Sequence, residues 1–315
     1  MYKSIIFLFF TAISLFSVNL TTDKIITADG EIIDMIVKNG QIYATTDMGT
    51  VDIYDLKTLK LKKKIKFKKI KDFFGDLNSP RVFSVDVIDK KILLASQGTK
   101  GFSRVYIYYD DNLHKIFDEK DHMAIMKVKY INSSKILIAL LSSELILYDI
   151  KNKKVIYDKQ VSQSKFSDYR FNKKKSKIIL SDESGSVKLI NVSNGSIIKT
   201  FSGENLDNVY QLDYKNHIIA VASKDKKCGI YKDDGTMAYH KMSNFIVYAT
   251  GLSPSGKYCG YASDDKNNIT VFNVYTKENL YKLTKNDNPI SNIIFLDEKN
   301  IITSDKNKIK QWRLK

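Results

Sequence analysis

An alternation of apolar and polar positions recurs along this chain at nearly constant spacing. Each copy reads apolar, any residue, apolar, aromatic or apolar, and then usually a polar turn residue. The copies occupy residues 51–55, 105–108, 145–149, 187–191, 228–232, 269–273 and 309–313. Their fourth positions are separated by 54, 40, 42, 41, 41 and 40 residues. A fixed period of this length predicts seven copies of one structural unit.

Strand-forming sequence surrounds each copy. Apolar runs such as 135–139, 177–181 and 300–304 lead into polar turns rich in Asp, Ser and Gly. β-branched and aromatic residues bounded by such turns are typical of short antiparallel strands. Beyond the first residues, no stretch shows a helical period. Four strands in about 41 residues make one propeller blade, so the pattern predicts an all-β, seven-bladed β-propeller of four-stranded antiparallel blades.

The two ends of the chain are predicted to complete one blade together. The last unit ends at Lys315, just after its third strand, and therefore lacks a fourth. The segment Lys24–Ala28 precedes the first strand of the first unit and has strand-like sequence. We expect it to supply the outer strand of the last blade, because pairing two free edges closes the ring. The alternative is a flexible leader. Residues 18–315 are thus predicted to form a single propeller domain.

The repeat resembles a known family. The phrase ending in Tyr54-Asp55 or Tyr148-Asp149, close to an Asp-containing turn, resembles the WD40 repeat with its Trp-Asp dipeptide. The resemblance spans residues 30–315 and implies the propeller architecture. Only Trp312 supplies the tryptophan, Arg313 replaces its aspartate, and no Gly-His dipeptide opens a unit. The resemblance therefore does not extend to the Asp-His-Ser/Thr-Trp hydrogen-bond network of standard blades.

The N-terminus predicts export. Lys3 precedes an almost unbroken apolar run from Ser4 to Phe16. A basic start followed by about a dozen apolar residues is typical of a secretory signal peptide and is too short to span a bilayer. We expect a signal peptide over residues 1–17, cleaved after Ser17 or Ser14, and a periplasmic protein without a membrane span. An uncleaved anchor is the alternative.

Charge and composition restrict the partners and the chemistry. Lys and Arg number 51 against 35 Asp and Glu, a net charge of +16, which favours an acidic partner; a solvated lysine-rich surface is the alternative. Export makes nucleic acid an unsuitable partner. The four histidines lie in different units, without ligand spacing, and no nucleophile motif occurs. We therefore expect no catalysis, cofactor or metal, and a monomer. A propeller enzyme of lactonase or quinoprotein type is the alternative.

Two cysteines leave a further choice open. Cys228 and Cys259 could form a disulfide in an oxidising compartment, or could be small core residues on strands.

The long interval between the first two copies marks a candidate binding site. The surplus residues fall at 72–80, between the first two units, and at 97–103, between the second and third strands of unit two. Both connections should emerge on the same face of the propeller. Aromatic and arginine side chains are enriched at the energetic centres of interfaces. The candidate partner-binding residues are Lys71, Phe73, Phe74, Lys100, Phe102 and Arg104. Alternatively, the phenylalanines fold back over units one and two.

The whole chain resembles a functional family. Its length, its start at Met1–Leu8 and its Tyr-Asp repeats ending in Gln311-Trp312-Arg313 resemble the NapL-type accessory proteins of periplasmic nitrate reductase systems. This resemblance implies a non-catalytic accessory or maturation factor whose partner is a component of the periplasmic nitrate reductase. An envelope-assembly scaffold for outer-membrane proteins is the alternative.

Overall fold

The computed structural model describes residues 17–22 and 24–315. The predicted signal peptide lies outside these residues except for Ser17. Across the described part of the chain, no helix is long and apolar enough to cross a membrane.

The described residues form strands and a single 3-10 turn at Glu119–Asp121. The strands are β1 (Val18–Leu20), β2 (Ile25–Thr27), β3 (Ile32–Lys38), β4 (Gln41–Thr46), β5 (Thr50–Asp55), β6 (Leu61–Lys66), β7 (Ile70–Lys71), β8 (Leu77–Asn78), β9 (Val82–Ile88), β10 (Lys91–Gln97), β11 (Ser103–Tyr109), β12 (Asn112–Phe117), β13 (Ile125–Asn132), β14 (Lys135–Leu140), β15 (Glu144–Asp149), β16 (Lys154–Gln160), β17 (Phe166–Phe171), β18 (Lys177–Asp182), β19 (Val187–Asn191), β20 (Ile197–Phe201), β21 (Val209–Lys215), β22 (Ile218–Ser223), β23 (Lys227–Lys232), β24 (Ala238–Met242), β25 (Thr250–Leu252), β26 (Tyr258–Ala262), β27 (Ile269–Asn273), β28 (Asn279–Leu283), β29 (Ile290–Phe295), β30 (Asn300–Asp305) and β31 (Lys308–Arg313).

These strands make seven blades, as the repeat predicts. Blades 1 to 5 are the sheets β3–β6, β9–β12, β13–β16, β17–β20 and β21–β24, and blades 6 and 7 begin at β25 and β29. The first strand of each blade lies innermost, and the innermost strand of blade 7 contacts that of blade 1. The recurring phrase is the third strand in every blade.

The ring closes where the sequence predicts. β2 pairs antiparallel with β31, Ile25–Thr27 lying opposite Lys310–Lys308, and so completes blade 7. A second closure was not predicted: β1 adds a parallel fifth strand to blade 6 by pairing with β28. Leu20 at its end is buried, and its carbonyl accepts a hydrogen bond from the backbone N–H of Thr284 at 2.9 Å.

The hydrophobic core lies between the blades. Seven buried apolar clusters occur in the described residues, and each combines the facing sides of two neighbouring blades. The cluster between blades 7 and 1 includes Ile26, Ile32 and Ile302, so the N-terminal strand contributes to it. A blade alone would expose both faces, and the closed ring buries them. The array is therefore expected to be one cooperative unit.

Aspartates on four of the inner strands join their blade to the next one. Asp34, Asp86, Asp168 and Asp213 each accept a hydrogen bond from the following backbone N–H and another from an inner strand of the next blade. Asp34, for example, accepts from Val85 N at 3.0 Å. Sequence reasoning missed these links, because nothing in the repeat shows which backbone group each carboxylate meets.

The lysine-rich strand Leu61–Lys66 is the outer strand of blade 1, with Ile65 buried. Lys64 on this strand is only partly exposed: its Nζ pairs with the exposed Asp29 and lies 3.7 Å from the buried Asp52 carboxylate. A buried carboxylate inside the blade attracts the lysine head group inward.

Candidate protein-binding surface

The surplus residues between blades 1 and 2 fold into a small hairpin, residues 70–78, which we term the docking hairpin. β7 pairs with β8, Ile70 opposite Asn78 and Lys71 opposite Leu77. The Asp72 carboxylate accepts hydrogen bonds from the backbone N–H groups of Phe74 and Asp76 at 2.9 and 3.0 Å and from the Asn78 side chain at 2.7 Å. These bonds hold the turn in one conformation, as aspartate side chains commonly do in turns.

This turn presents two phenylalanines to solvent. Phe73 is 95% exposed and Phe74 is 87% exposed, and their rings pack edge to face with centroids 5.7 Å apart. Leu77 on the second strand is exposed as well. Neither ring folds back over blades 1 and 2. A pair of fully exposed aromatic side chains on a fixed turn is unusual for a surface with no partner.

The second expanded connection, residues 98–102, lies beside the docking hairpin, as the sequence predicts. Its Phe102 is half-buried against His122, with ring centroids 4.9 Å apart. Arg104 pairs with Glu119 at 2.5 Å, and the same carboxylate accepts from the backbone N–H of Thr99 at 2.9 Å. Phe102 and Arg104 therefore hold this connection in place, and their side chains are engaged within the protein.

The pKa of Glu119 supports the role of its ion pair with Arg104 in holding this connection in place. Burial raises the pKa of Glu119, but the hydrogen bonds from Arg104 and from backbone N–H groups outweigh it, and the pKa falls to about 2. The carboxylate is therefore ionised at neutral pH, and the ion pair with Arg104 is maintained.

A cleft of about 490 Å³ separates the docking hairpin from the second connection. Its walls include Ile70, Lys71, Phe73 and Lys100. The nearby exposed lysines, which point to an electropositive surface, are Lys68, Lys69, Lys71 and Lys100. Of the six predicted residues, the structure thus places Lys71, Phe73 and Lys100 on the cleft and Phe74 beside it.

The exposed apolar side chains favour one face of the disc, which we term the inter-blade face. It carries the connections between blades and the turns between second and third strands. The large exposed apolar residues in or next to these connections are Met48, Phe73, Phe74, Leu77, Leu141, Leu206, Met242 and Phe245. By the same criterion, the opposite face carries Leu61, Ile197 and Tyr275 among the residues that the structure describes. The inter-blade face therefore has the properties of a docking surface.

The axis of the ring contains a second chemical feature. A cleft of about 190 Å³ is lined by inner-strand residues that include Asp34, Lys127, Asp168 and Arg170. Lys127 pairs with Asp168, and Arg170 lies 3.4 Å from the same carboxylate. Lys129 pairs with Asp34 at 2.9 Å.

The pKa values reflect this crowding. Burial raises the pKa of Asp34, but the charges of Lys129, Lys127 and Arg170 outweigh it and hold the pKa well below its usual range. Burial and the charge of Arg170 lower the pKa of Lys127 to about 8. Over the described residues, no group of three His, Cys, Asp or Glu side chains could hold a metal ion. The axial charges join blades, because each carboxylate also binds backbone N–H groups.

Comparisons with known proteins extend to the fold. No protein-family model and no curated protein matches the sequence. Among solved structures, the Myceliophteria thermophila Cps50 (Swd1) beta-propeller domain superposes with a TM-score of 0.70. The match covers 91% of this chain and 97% of that one, at 13% sequence identity. The chain has a WD40-like, seven-bladed β-propeller fold. At this level of identity, the likeness concerns the fold alone.

Proposed function

We propose that this chain is a non-catalytic protein-binding propeller that holds an acidic, partly apolar segment of a partner protein against its inter-blade face. The observation that carries the proposal is the docking hairpin, with Phe73 and Phe74 almost fully exposed on a turn fixed by Asp72. Aromatic anchors dominate binding energy at interfaces, and a preformed turn avoids the entropy of ordering a flexible loop.

The charge of the surface favours an acidic partner. Exposed lysines surround the cleft, and the chain as a whole carries a net charge of +16. Asp72 lines the cleft and Glu119 binds Thr99 beside it, and these carboxylates already bind hairpin amides and Arg104. A partner with carboxylates beside apolar side chains would match both the lysines and the phenylalanines.

The finer proposal is that the partner belongs to a periplasmic nitrate reductase system and that this chain acts there as an accessory or maturation factor. The apolar run from Ser4 to Phe16 supports export, and the NapL-type resemblance of the whole chain supports the partner. An envelope-assembly role would instead require an outer-membrane partner on the same surface.

A binding titration tests both the proposed binding surface and the proposed partner. The double variant Phe73→Asp, Phe74→Asp should bind the purified periplasmic nitrate reductase about 100-fold more weakly than the wild type, since losing both aromatic anchors should cost about 3 kcal/mol. Tyr275→Asp, on the opposite face, is the matched control and should bind normally. Binding should also weaken with added salt.

The outcomes separate the alternatives. Equal affinity of the double variant and the wild type, with unchanged circular dichroism, would remove the docking hairpin from the proposal. Binding of an outer-membrane protein in place of the reductase would favour the envelope-assembly role and reject the nitrate reductase assignment.

A further inference from the structure

The chain's two cysteines lie together at the boundary between blades 5 and 6. Cys228 is on β23, the third strand of blade 5, and Cys259 is on β26, the second strand of blade 6. Both are fully buried in the same apolar cluster, and both are free thiols. The Thr250 hydroxyl lies 3.6 Å from Cys228 Sγ and 3.4 Å from Cys259 Sγ.

One side-chain hydroxyl therefore contacts both sulfurs, so the two thiols are neighbours in the same apolar cluster. A disulfide requires two cysteine side chains that are neighbours in space, and their shared contact with Thr250 makes these two neighbours.

We propose that Cys228 and Cys259 form a disulfide that links blade 5 to blade 6 when the chain folds under oxidising conditions. Two thiols lose two protons and two electrons, and one sulfur–sulfur bond forms. The electron acceptor is a disulfide, either oxidised glutathione or a thiol–disulfide oxidoreductase, which is itself reduced to two thiols through a mixed-disulfide intermediate.

Because both thiols are buried in the folded protein, the disulfide must form at an earlier stage of folding. A disulfide reagent must reach one sulfur directly, and neither sulfur is accessible in the closed ring. Burial also raises the pKa of Cys259 well above its usual value, which disfavours the reactive thiolate. Oxidation therefore occurs before blades 5 and 6 close on each other, and the folded, reduced protein resists it.

The position of the disulfide in the ring indicates how it would stabilise the propeller. The N-terminal strands close the ring at blades 6 and 7. A disulfide between blades 5 and 6 would join covalently the boundary next to this closure. Noncovalent packing alone would then hold together fewer of the neighbouring blades. Cross-links of this kind restrict the unfolded chain and raise stability.

Refolding tests the proposal independently of any partner. The leaderless chain, Met followed by residues 18–315, is unfolded, reduced and refolded in a mixture of oxidised and reduced glutathione. Thiols are then counted in guanidinium chloride, and the intact mass is measured. We expect the loss of both thiols, a mass lower by two hydrogens, and a higher midpoint of urea unfolding than for the reduced protein. Two remaining thiols after refolding would overturn the proposal.

Two further arms make the result specific. The folded, reduced protein incubated in the same glutathione mixture should keep both thiols for hours; rapid oxidation would overturn the inferred order of events. The double variant Cys228→Ala, Cys259→Ala should refold with the same midpoint in both conditions, which shows that any redox-dependent shift comes from this pair. The thiol count of protein recovered after export then reports on the compartment, separately from binding.

Discussion

The carboxylate of Asp34 shows how single residues hold neighbouring blades together. It is buried, and it accepts hydrogen bonds from the backbone N–H groups of Met35 and Val85 and from Lys129 Nζ. Leaving any of these donors unpaired in the interior would cost more than the bond contributes when formed. The carboxylate therefore links blades 1, 2 and 3 through one side chain.

We expect Asp34→Asn to destabilise the protein by about 3 kcal/mol at neutral pH, because the buried Lys129 side chain would lose its carboxylate partner and keep only the Val85 carbonyl. The folded pKa of Asp34 lies below the ordinary value of 3.8. Its contribution is thus complete above that value and is lost as the pH falls. Urea unfolding between about pH 7 and 3 should show a smaller loss for the variant than for the wild type.

The control for this prediction is Asp89→Asn, at an exposed position in a left-handed turn conformation that asparagine also adopts readily. It should leave both the stability and its acid dependence close to those of the wild type. If Asp34→Asn matched this control, the axial carboxylate would not contribute to stability.

At the same scale, sequence reasoning identified types of residue more reliably than their partners. The exposed Phe73 and Phe74 and the lysines beside them were predicted as candidate binding residues, and the structure places them on one surface. Phe102 and Arg104 were predicted as binding residues on the same grounds, yet Phe102 packs against His122 and Arg104 pairs with Glu119. Residues 119 and 122 belong to the connection between blades 2 and 3. The repeat does not show that this connection reaches residues 98–102.

At the scale of elements, the strands that carry the repeat could be predicted because short apolar runs at constant spacing follow from burial on both faces of a blade. β1 could not, since it adds a fifth strand to a blade that the repeat already supplies with four. The docking hairpin was expected as a loop, because two strands of two residues each have no readable alternation. Short elements depend on neighbours that local sequence does not specify.

The inner strand of blade 6 contains a glycine that packing requires. A Cβ on Gly251 would lie 2.2 Å from the carbonyl oxygen of Ile293, on the inner strand of blade 7. A backbone atom cannot move aside as a side chain can. We expect Gly251→Ala to lower the free energy of unfolding by about 1–3 kcal/mol, measured by urea denaturation.

Gly260→Ala, on the next strand of the same blade, is the matched comparison. Its Cβ would lie 3.3 Å from a side-chain methyl group of Ile293, which can adjust by a few tenths of an ångström. The loss should therefore be smaller than for Gly251→Ala. A larger loss at Gly260 would show that close packing between the inner strands of blades 6 and 7 is not the limiting contact.

For the whole molecule, the decisive feature is that every blade is stabilised by its neighbours. Each of the seven apolar clusters spans two blades, and the cluster between blades 7 and 1 contains residues from both ends of the chain. An open array would expose two blade faces and two strand edges. The N-terminal strand β2 should therefore influence the stability of the entire ring.

Two adjacent residues of β2 allow this to be measured. Ile26 is buried in the cluster between blades 7 and 1, whereas Ile25 is 44% exposed on the same strand. Ile26→Asp places a carboxylate in an apolar cluster without a partner and should cost about 3 kcal/mol, while Ile25→Asp should cost little.

The single tryptophan, Trp312, is buried in the cluster between blades 6 and 7, and its fluorescence reports on the closure. Far-ultraviolet circular dichroism reports on all blades. In a cooperative ring, Ile26→Asp shifts both urea transitions together and by the same amount. A shift of the tryptophan transition alone would mean that blade 7 opens separately and that the closed ring does not unfold as one unit.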